Sequence, residues 1–255
     1  MYANYHAHTA RCRHAYGTEE EFVQAAIRRG LKIFGFSDHT PQFFPGDYYS
    51  RMRMYPDQLE DYCKTVLELR EKYKDQIQIP LGLEVEYYPD IFPELLARIR
   101  DAGIEYILLG QHWNGNEEGE LYNGRESDDE VKLYRYCNQA MAAMEMGIFT
   151  YFCHPGLLHF TGDPKVYEKH MRQLCRVAVE TDTPVEINLL GILEGRHYPT
   201  EAFWAIAAAE GCKAVLGMDT HKVEELENPE PEAKAMELVK KYGLTLLETV
   251  PLKKI

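Results

Sequence analysis

The fold this sequence predicts is a single α/β domain, a parallel sheet or barrel of strands wrapped by helices, and three observations predict it. Short β-rich apolar runs alternate with helical patterns from one end to the other, which is the mark of βα units. A length of 255 residues, 45% hydrophobic and 27% charged, suits one core of the larger kind spanning 1–255. Imidazoles and carboxylates also recur where the apolar runs end, and in a parallel barrel those ends converge on one face.

The strands fall at 2–8, 33–38, 79–86, 106–111, 149–153, 184–189 and 214–218, with 244–250 as a possible eighth. Helix starts lie between them. Thr18-x-x-Glu21 and Ser127-x-x-Glu130 read as capping boxes, and Asp163-Pro164 as a cap followed by a first-turn proline. No internal repeat or low-complexity linker interrupts the pattern. Met141, Met144 and Leu174 read as helix faces packed on the core.

The first strand carries His6-Ala-His8, and residues two apart on a strand share a face, so the two imidazoles form a chelating pair. His14 in the following loop is placed to be a third ligand. An isolated H-x-H is a weak pattern that half-exposed strand histidines also produce. The rest of the chain strengthens it. Phe34-Gly-Phe-Ser leads to Asp38-His39, Pro80-Leu-Gly-Leu to Glu84-Val-Glu86, and Ile107-Leu-Leu-Gly-Gln to His112. Tyr151-Phe-Cys leads to His154-Pro155, and Val215-Leu-Gly-Met to Asp219-Thr-His221. Seven of the ten histidines therefore sit at one topological position, and His159, His170 and His197 are the others.

Nine candidate ligands result: His6, His8, His14, His39, Glu84, His112, His154, Asp219 and His221. A single ion takes four to six, so two or three divalent metal ions are expected, with Zn, Mn and Fe all suited to such donors. Glu84 is the best candidate for a carboxylate bridging two ions, and Glu86, pointing the same way by parity, is the weaker alternative.

Composition narrows the partners. A formal net charge of -13 without a long Lys/Arg run weighs against a grip on long nucleic acid. No apolar stretch approaches the length of a membrane span, and Met1 leads straight into the His motif, so a cytoplasmic protein is expected. Six scattered cysteines without a C-x-x-C pair argue for buried, reduced thiols rather than disulfides or a Cys-based zinc finger. Cys12 and Cys153 lie beside candidate ligands.

The order H-x-H, later His, S-D-H, G-x-E, Q-H, H-P and D-x-H resembles the polymerase and histidinol phosphatase (PHP) superfamily over nearly the whole chain. That resemblance implies a distorted seven-stranded (β/α) TIM-like barrel with a trinuclear metal site, and each of the nine ligand positions has a match. Within it the chain looks like the histidinol-phosphate phosphatase branch, on its short length, Arg11-Cys-Arg-His-Ala-Tyr-Gly17, Gly82-Leu-Glu-Val-Glu-Tyr-Tyr88 and Arg196-His-Tyr-Pro199. The family often has Asp where Glu86 stands.

The implied chemistry is hydrolysis of a small phosphomonoester, with a metal-bound hydroxide attacking phosphorus in line. Arg196 would clamp the phosphate in a planar, bidentate fashion, as the resemblance implies. His197 would orient the phosphate or protonate the leaving group, and Asp219 would be a ligand first and a proton carrier second. Selection of the leaving group is expected in loops 40–55 and 113–126, where Glu117 and Glu118 would meet an ammonium group or simply face solvent. Two other readings stay open: a phosphoesterase of the same superfamily acting on nucleotides, bisphosphates or oligonucleotide ends, and a non-catalytic metal-binding module.

Overall fold

The computed structural model describes residues 1–255. Eight parallel strands and nine α-helices alternate along the chain. The strands are β1 (Ala3–Asn4), β2 (Ile33–Phe34), β3 (Gly82–Glu86), β4 (Tyr106–Gly110), β5 (Phe149–Phe152), β6 (Val185–Asn188), β7 (Lys213–Gly217) and β8 (Thr245–Leu247). The helices are α1 (Glu19–Arg29), α2 (Leu59–Tyr73), α3 (Phe92–Asp101), α4 (Glu130–Glu145), α5 (Pro164–Glu180), α6 (Leu189–Leu193), α7 (Glu201–Glu210), α8 (Val223–Glu227) and α9 (Glu230–Tyr242).

Strands β3 to β8 form one sheet in sequence order, and β1 pairs with β2 in a second. Single bridges join the two. Ile33 to Gln78, Phe36 to Leu81 and His39 to Glu84 continue β2 onto the β3 segment, while Ala7 to Thr220 carries the chain after β1 onto the chain after β7. The result is a TIM-like (β/α) barrel in distorted form.

The expected first and second strands are longer than the regular ladders found, and Asn4 supplies the reason at the first. Its side-chain oxygen accepts from the Met218 N–H at 2.9 Å while its amide donates to the His6 carbonyl at 2.9 Å, so a side chain replaces the backbone partner. The strand frays there and leaves His6 and His8 on a segment held by isolated bridges.

Period-2 alternation sorts each strand between two environments. Leu83, Val85, Ile107, Leu109, Phe152, Val185, Ile187, Ala214 and Leu216 pack outward against the helices in the main apolar core. Tyr5, Tyr106, Leu108, Tyr151, Cys153 and Val215 form a separate small cluster inside. Each fully buried large apolar side chain contributes about 1.5–3 kcal/mol. Tyr106 crosses the interior and donates to the Tyr5 and Phe36 carbonyls at 2.8 and 3.0 Å; a Cβ at Gly82 would lie 2.2 Å from its ring, so β3 needs glycine there.

Helix starts follow the sequence in two of three cases. Thr18 and Glu21 make the reciprocal capping box, and Asp163 accepts from the Lys165 N–H ahead of Pro164. The third differs. Asp129, not Ser127, caps α4 by accepting from the Val131 N–H at 2.8 Å, and Ser127 accepts from Asp129 instead. An aspartate one residue before the helix outcompetes a serine two positions further back. No helix is long and apolar enough to cross a membrane.

Candidate metal centre

The inner-face residues at the upper ends of the strands gather all nine predicted side chains around one site. Glu84 is 1% exposed and lies at its middle. Its Oε2 is 2.9 Å from His39 Nδ1, 3.6 Å from His6 Nε2 and 3.7 Å from His8 Nε2. Its Oε1 is 2.9 Å from His154 Nε2 and 3.8 Å from His112 Nε2. One carboxylate thus faces five imidazoles, divided between its two oxygens. Asp219 Oδ1 stands 3.0 Å from His8 Nε2, 3.4 Å from His6 Nε2 and 3.6 Å from His221 Nδ1.

His14 and His221 complete the ring. Nδ1 of His14 faces the Cys12 carbonyl at 2.9 Å and Nδ1 of His221 the Asp219 carbonyl at 2.8 Å. A carbonyl only accepts, so each Nδ1 carries the proton and each Nε2 carries a lone pair. Those two Nε2 atoms lie 3.0 Å apart. Two lone pairs at that distance repel unless a cation stands between or beside them.

A wider deficit points the same way. His6 Nε2, both ring nitrogens of His8, Glu84 Oε2 and His154 Nδ1 are buried with no hydrogen-bond partner in the protein. Orphaned buried polar atoms are rare because each one costs about 1–3 kcal/mol. Here they converge in small groups of His, Glu and Asp whose ligand atoms lie within 4.8 Å of one another, including His6–His8–Asp219, His6–Glu84–His154 and His14–His39–His221. These donors fit divalent metal ions of the Zn, Mn or Fe type.

Charge in the metal-free protein follows the same geometry. Burial drives the Glu84 carboxyl upward, but His39, His112 and His6 outweigh it and hold the pKa well below the ordinary value. Asp219 is likewise held low against burial by His6, His8 and His221. Burial pushes His8 down, yet the nearby Asp219 and Asp38 carboxylates raise it to about 9. Burial keeps His39, His14 and His221 below the usual imidazole value, which leaves neutral donors. His154 and Asp219 also adopt left-handed backbone, φ 31° and 50°. Such conformations in non-glycine residues cost energy and cluster at functional sites.

A pocket of about 760 Å³ opens over the centre, lined in part by His14, His39, His112, Asp219, Trp113 and Tyr122. Arg196 lines it too. It forks onto Glu194 at 2.7 and 2.6 Å and donates to the Tyr198 hydroxyl at 2.5 Å, so a phosphate would have to draw the guanidinium off Glu194. His197 is not brought to the pocket. Its Nε2 donates to the Leu157 carbonyl at 2.8 Å and its ring stacks on His159 at 4.1 Å, which removes the reason to give it the leaving-group proton.

Two acids behave differently from expectation. Glu86 does not bridge; it backs His112, with Oε1 2.5 Å from Nδ1 and Oε2 accepting the His112 N–H at 2.9 Å. Glu117 is 2% exposed and ion-paired with Arg53 at 2.6 Å while accepting from Tyr88 and Tyr48, so its charge is already matched within the protein. Glu118 is exposed and absent from the pocket wall. Sequence reading also missed Glu186, Arg53 and Asn188. An acid between valine and isoleucine on a buried strand is the signal that would have found Glu186.

Fold and site together define a barrel with a candidate metal centre at the upper ends of its strands. The PHP domain model matches residues 4–189, and the chain belongs to that family. A Deinococcus radiodurans protein named "Probable histidinol-phosphatase" is 29% identical over 229 residues, 85% of each chain. A Proteus mirabilis protein named as a probable phosphatase is 23% identical over 252 residues, covering 97% of this chain and 90% of its own. The crystal structure of Lactococcus lactis histidinol phosphate phosphatase, complexed with zinc, L-histidinol and phosphate, matches with a TM-score of 0.75 at 19% identity over 98% of both chains, which establishes the fold.

Proposed function

We propose that this chain is a metal-dependent phosphomonoesterase that hydrolyses L-histidinol phosphate to L-histidinol and phosphate, a step of histidine biosynthesis. The observation that carries the metal dependence is the convergence of unpartnered imidazole and carboxylate atoms on Glu84 and Asp219. Support for the substrate comes from the Deinococcus relative, similar over most of both chains.

Two or three divalent ions would be held by His6, His8, His14, His39, Glu84, His112, His154, Asp219 and His221. When bound, they supply positive charge for the phosphate oxygens and lower the pKa of water, with Zn, Mn or Fe each chemically competent. Glu84 separates the imidazoles into two groups, one at each carboxylate oxygen, and would hold metal from both. Arg196 orients the phosphate by turning its fork from Glu194 to the anion. Trp113 and Tyr122, packed with their ring centroids 5.5 Å apart, give the leaving group an aromatic wall. Glu194 and Glu225 line the same pocket and offer acceptors to an ammonium group.

The pocket volume favours a second reading, because about 760 Å³ exceeds what a compact amino-alcohol phosphate fills and would admit a nucleotide. One assay separates them: kcat/KM for phosphate release from histidinol phosphate, a nucleoside bisphosphate, a short oligonucleotide and an aryl phosphate. Preference for histidinol phosphate by several orders supports the first reading. Equal, slow rates on all four keep the phosphoesterase chemistry and reject the named substrate.

A further inference from the structure

Behind the groups that face the pocket lies a carboxylate touching none of the solvent. Glu186 on β6 is 1% exposed. Its Oε1 accepts from His6 Nδ1 at 2.7 Å, and its Oε2 accepts from the His154 backbone N–H at 2.9 Å and from Asn188 Nδ2 at 3.0 Å. The same Asn188 amide donates to Asp219 Oδ2 at 3.0 Å. One side chain therefore reaches His6 and His154 directly and Asp219 through a single amide.

A carboxylate facing Nδ1 fixes the His6 proton there and leaves the lone pair on Nε2. That Nε2 is the buried atom without a partner, aimed between Glu84 and Asp219. We infer that Glu186 is a positioning residue for metal uptake: it sets the His6 tautomer, aims Nε2 into the centre, and steadies His154 and Asp219 from behind. This rests on the metal-centre reading and is independent of the substrate.

The sheet is built around that side chain. Gly217 on β7, the ladder partner of Asn188, lies beneath its carboxylate, and a Cβ there would fall 1.6 Å from Glu186 Oε1 and 2.4 Å from the carboxyl carbon. Gly110 makes the corresponding room for Glu84, at 2.5 Å. Glu86 provides a comparison within the same barrel, since it too faces an imidazole Nδ1 and a backbone N–H, both of them belonging to His112. The two differ in charge. Arg53 stands 3.5 Å from Glu86 Oε1, whereas the ion-pair partner of Glu186 is His6 alone, so its charge acts undivided on that imidazole.

Groups of this kind raise ligand basicity, and their loss weakens metal binding by roughly 10–100-fold. The test is zinc titration of chelator-stripped wild type, Glu186→Gln and Gly217→Ala against a chromophoric chelator. Histidine-¹⁵N spectra of the stripped proteins report the His6 tautomer, and their melting temperatures report folding. Glu186→Gln is expected to weaken one zinc equivalent by about 10–100-fold, to give a mixed His6 tautomer, and to leave the metal-free melting temperature unlowered. Gly217→Ala keeps the carboxylate but displaces it, and is expected to weaken the same equivalent. Wild-type affinity at every equivalent in Glu186→Gln overturns the inference, as does a metal-free melting temperature that falls in step with the lost zinc. A wild-type protein that binds no zinc, manganese or iron overturns the metal-centre reading itself.

Discussion

Replacing Glu84 by glutamine changes one oxygen to an NH₂ group and removes one negative charge, with the side chain's shape kept. Its two oxygens lie 2.9 to 3.8 Å from five imidazole nitrogens, the separations at which two cations would share one carboxylate. A unit charge pair at about 4 Å in an effective dielectric near 20 is worth roughly 4 kcal/mol. At about 1.4 kcal/mol per decade, that is roughly three orders of magnitude in affinity for an ion held at this carboxylate. An amide also offers one donor oxygen where the carboxylate offers two, so it cannot hold both neighbours. The expected outcome is a folded protein that loses metal and turnover together. Stripped wild type and Glu84→Gln would be reloaded, freed of excess ion by gel filtration, and counted for metal by mass spectrometry beside phosphate release. Unchanged metal content and affinity in the variant would refute the bridging role.

Arg196→Ala is expected to raise KM for a phosphomonoester with metal content unchanged, since Arg196 lines the pocket but contacts Glu194 and Tyr198 rather than the imidazoles; steady-state kinetics with metal analysis decide it. Arg53→Met leaves Glu117 and Glu86 buried without their cation and is expected to destabilise the protein by about 3–5 kcal/mol, read as a fall of roughly 10 °C in Tm. Pairing it with Glu117→Gln should recover part of that loss, and strict additivity would contradict the coupling. Burial raises the Glu117 carboxyl, but Arg53, Tyr88 and Ser50 bring it below the ordinary glutamate value of 4.5. Its folded pKa is therefore depressed, so its stabilisation is fully present above about pH 4.5 and fades as pH falls through the lower folded value. The Tm difference between wild type and Glu117→Gln should be constant at neutral pH and shrink below pH 4.5; a constant difference down to pH 3 would contradict this.

Much of the site was legible because strand ends in a parallel barrel must converge, so S-D-H, G-x-E, H-P and D-x-H could be assigned to one face before any coordinates. Glu84 stood out by its preceding glycine and its position. What stayed hidden depended on side-chain geometry rather than on pattern. Glu86 and Glu84 have equal parity, yet only the register against β4 puts Glu86 behind His112. Arg53 sits in an aromatic, proline-containing loop that reads as surface, and its complete burial follows from long-range pairing with Glu117, 64 residues on. Arg196 and His197 are neighbours in sequence, but one faces the pocket and the other Leu157. The short first strand was hidden for a similar reason, since only the tertiary contact from Met218 to Asn4 shows where the ladder ends.

The central claim is that this imidazole and carboxylate cluster is a metal centre that hydrolyses a phosphomonoester. Its most direct test is to strip the protein with a chelator, add zinc or manganese back in measured equivalents, and follow bound metal and phosphate release from histidinol phosphate in the same samples. The account predicts no turnover in the stripped protein and recovery that saturates as two to three equivalents bind. Full turnover in metal-free protein, or protein that binds no metal while remaining folded, would contradict it.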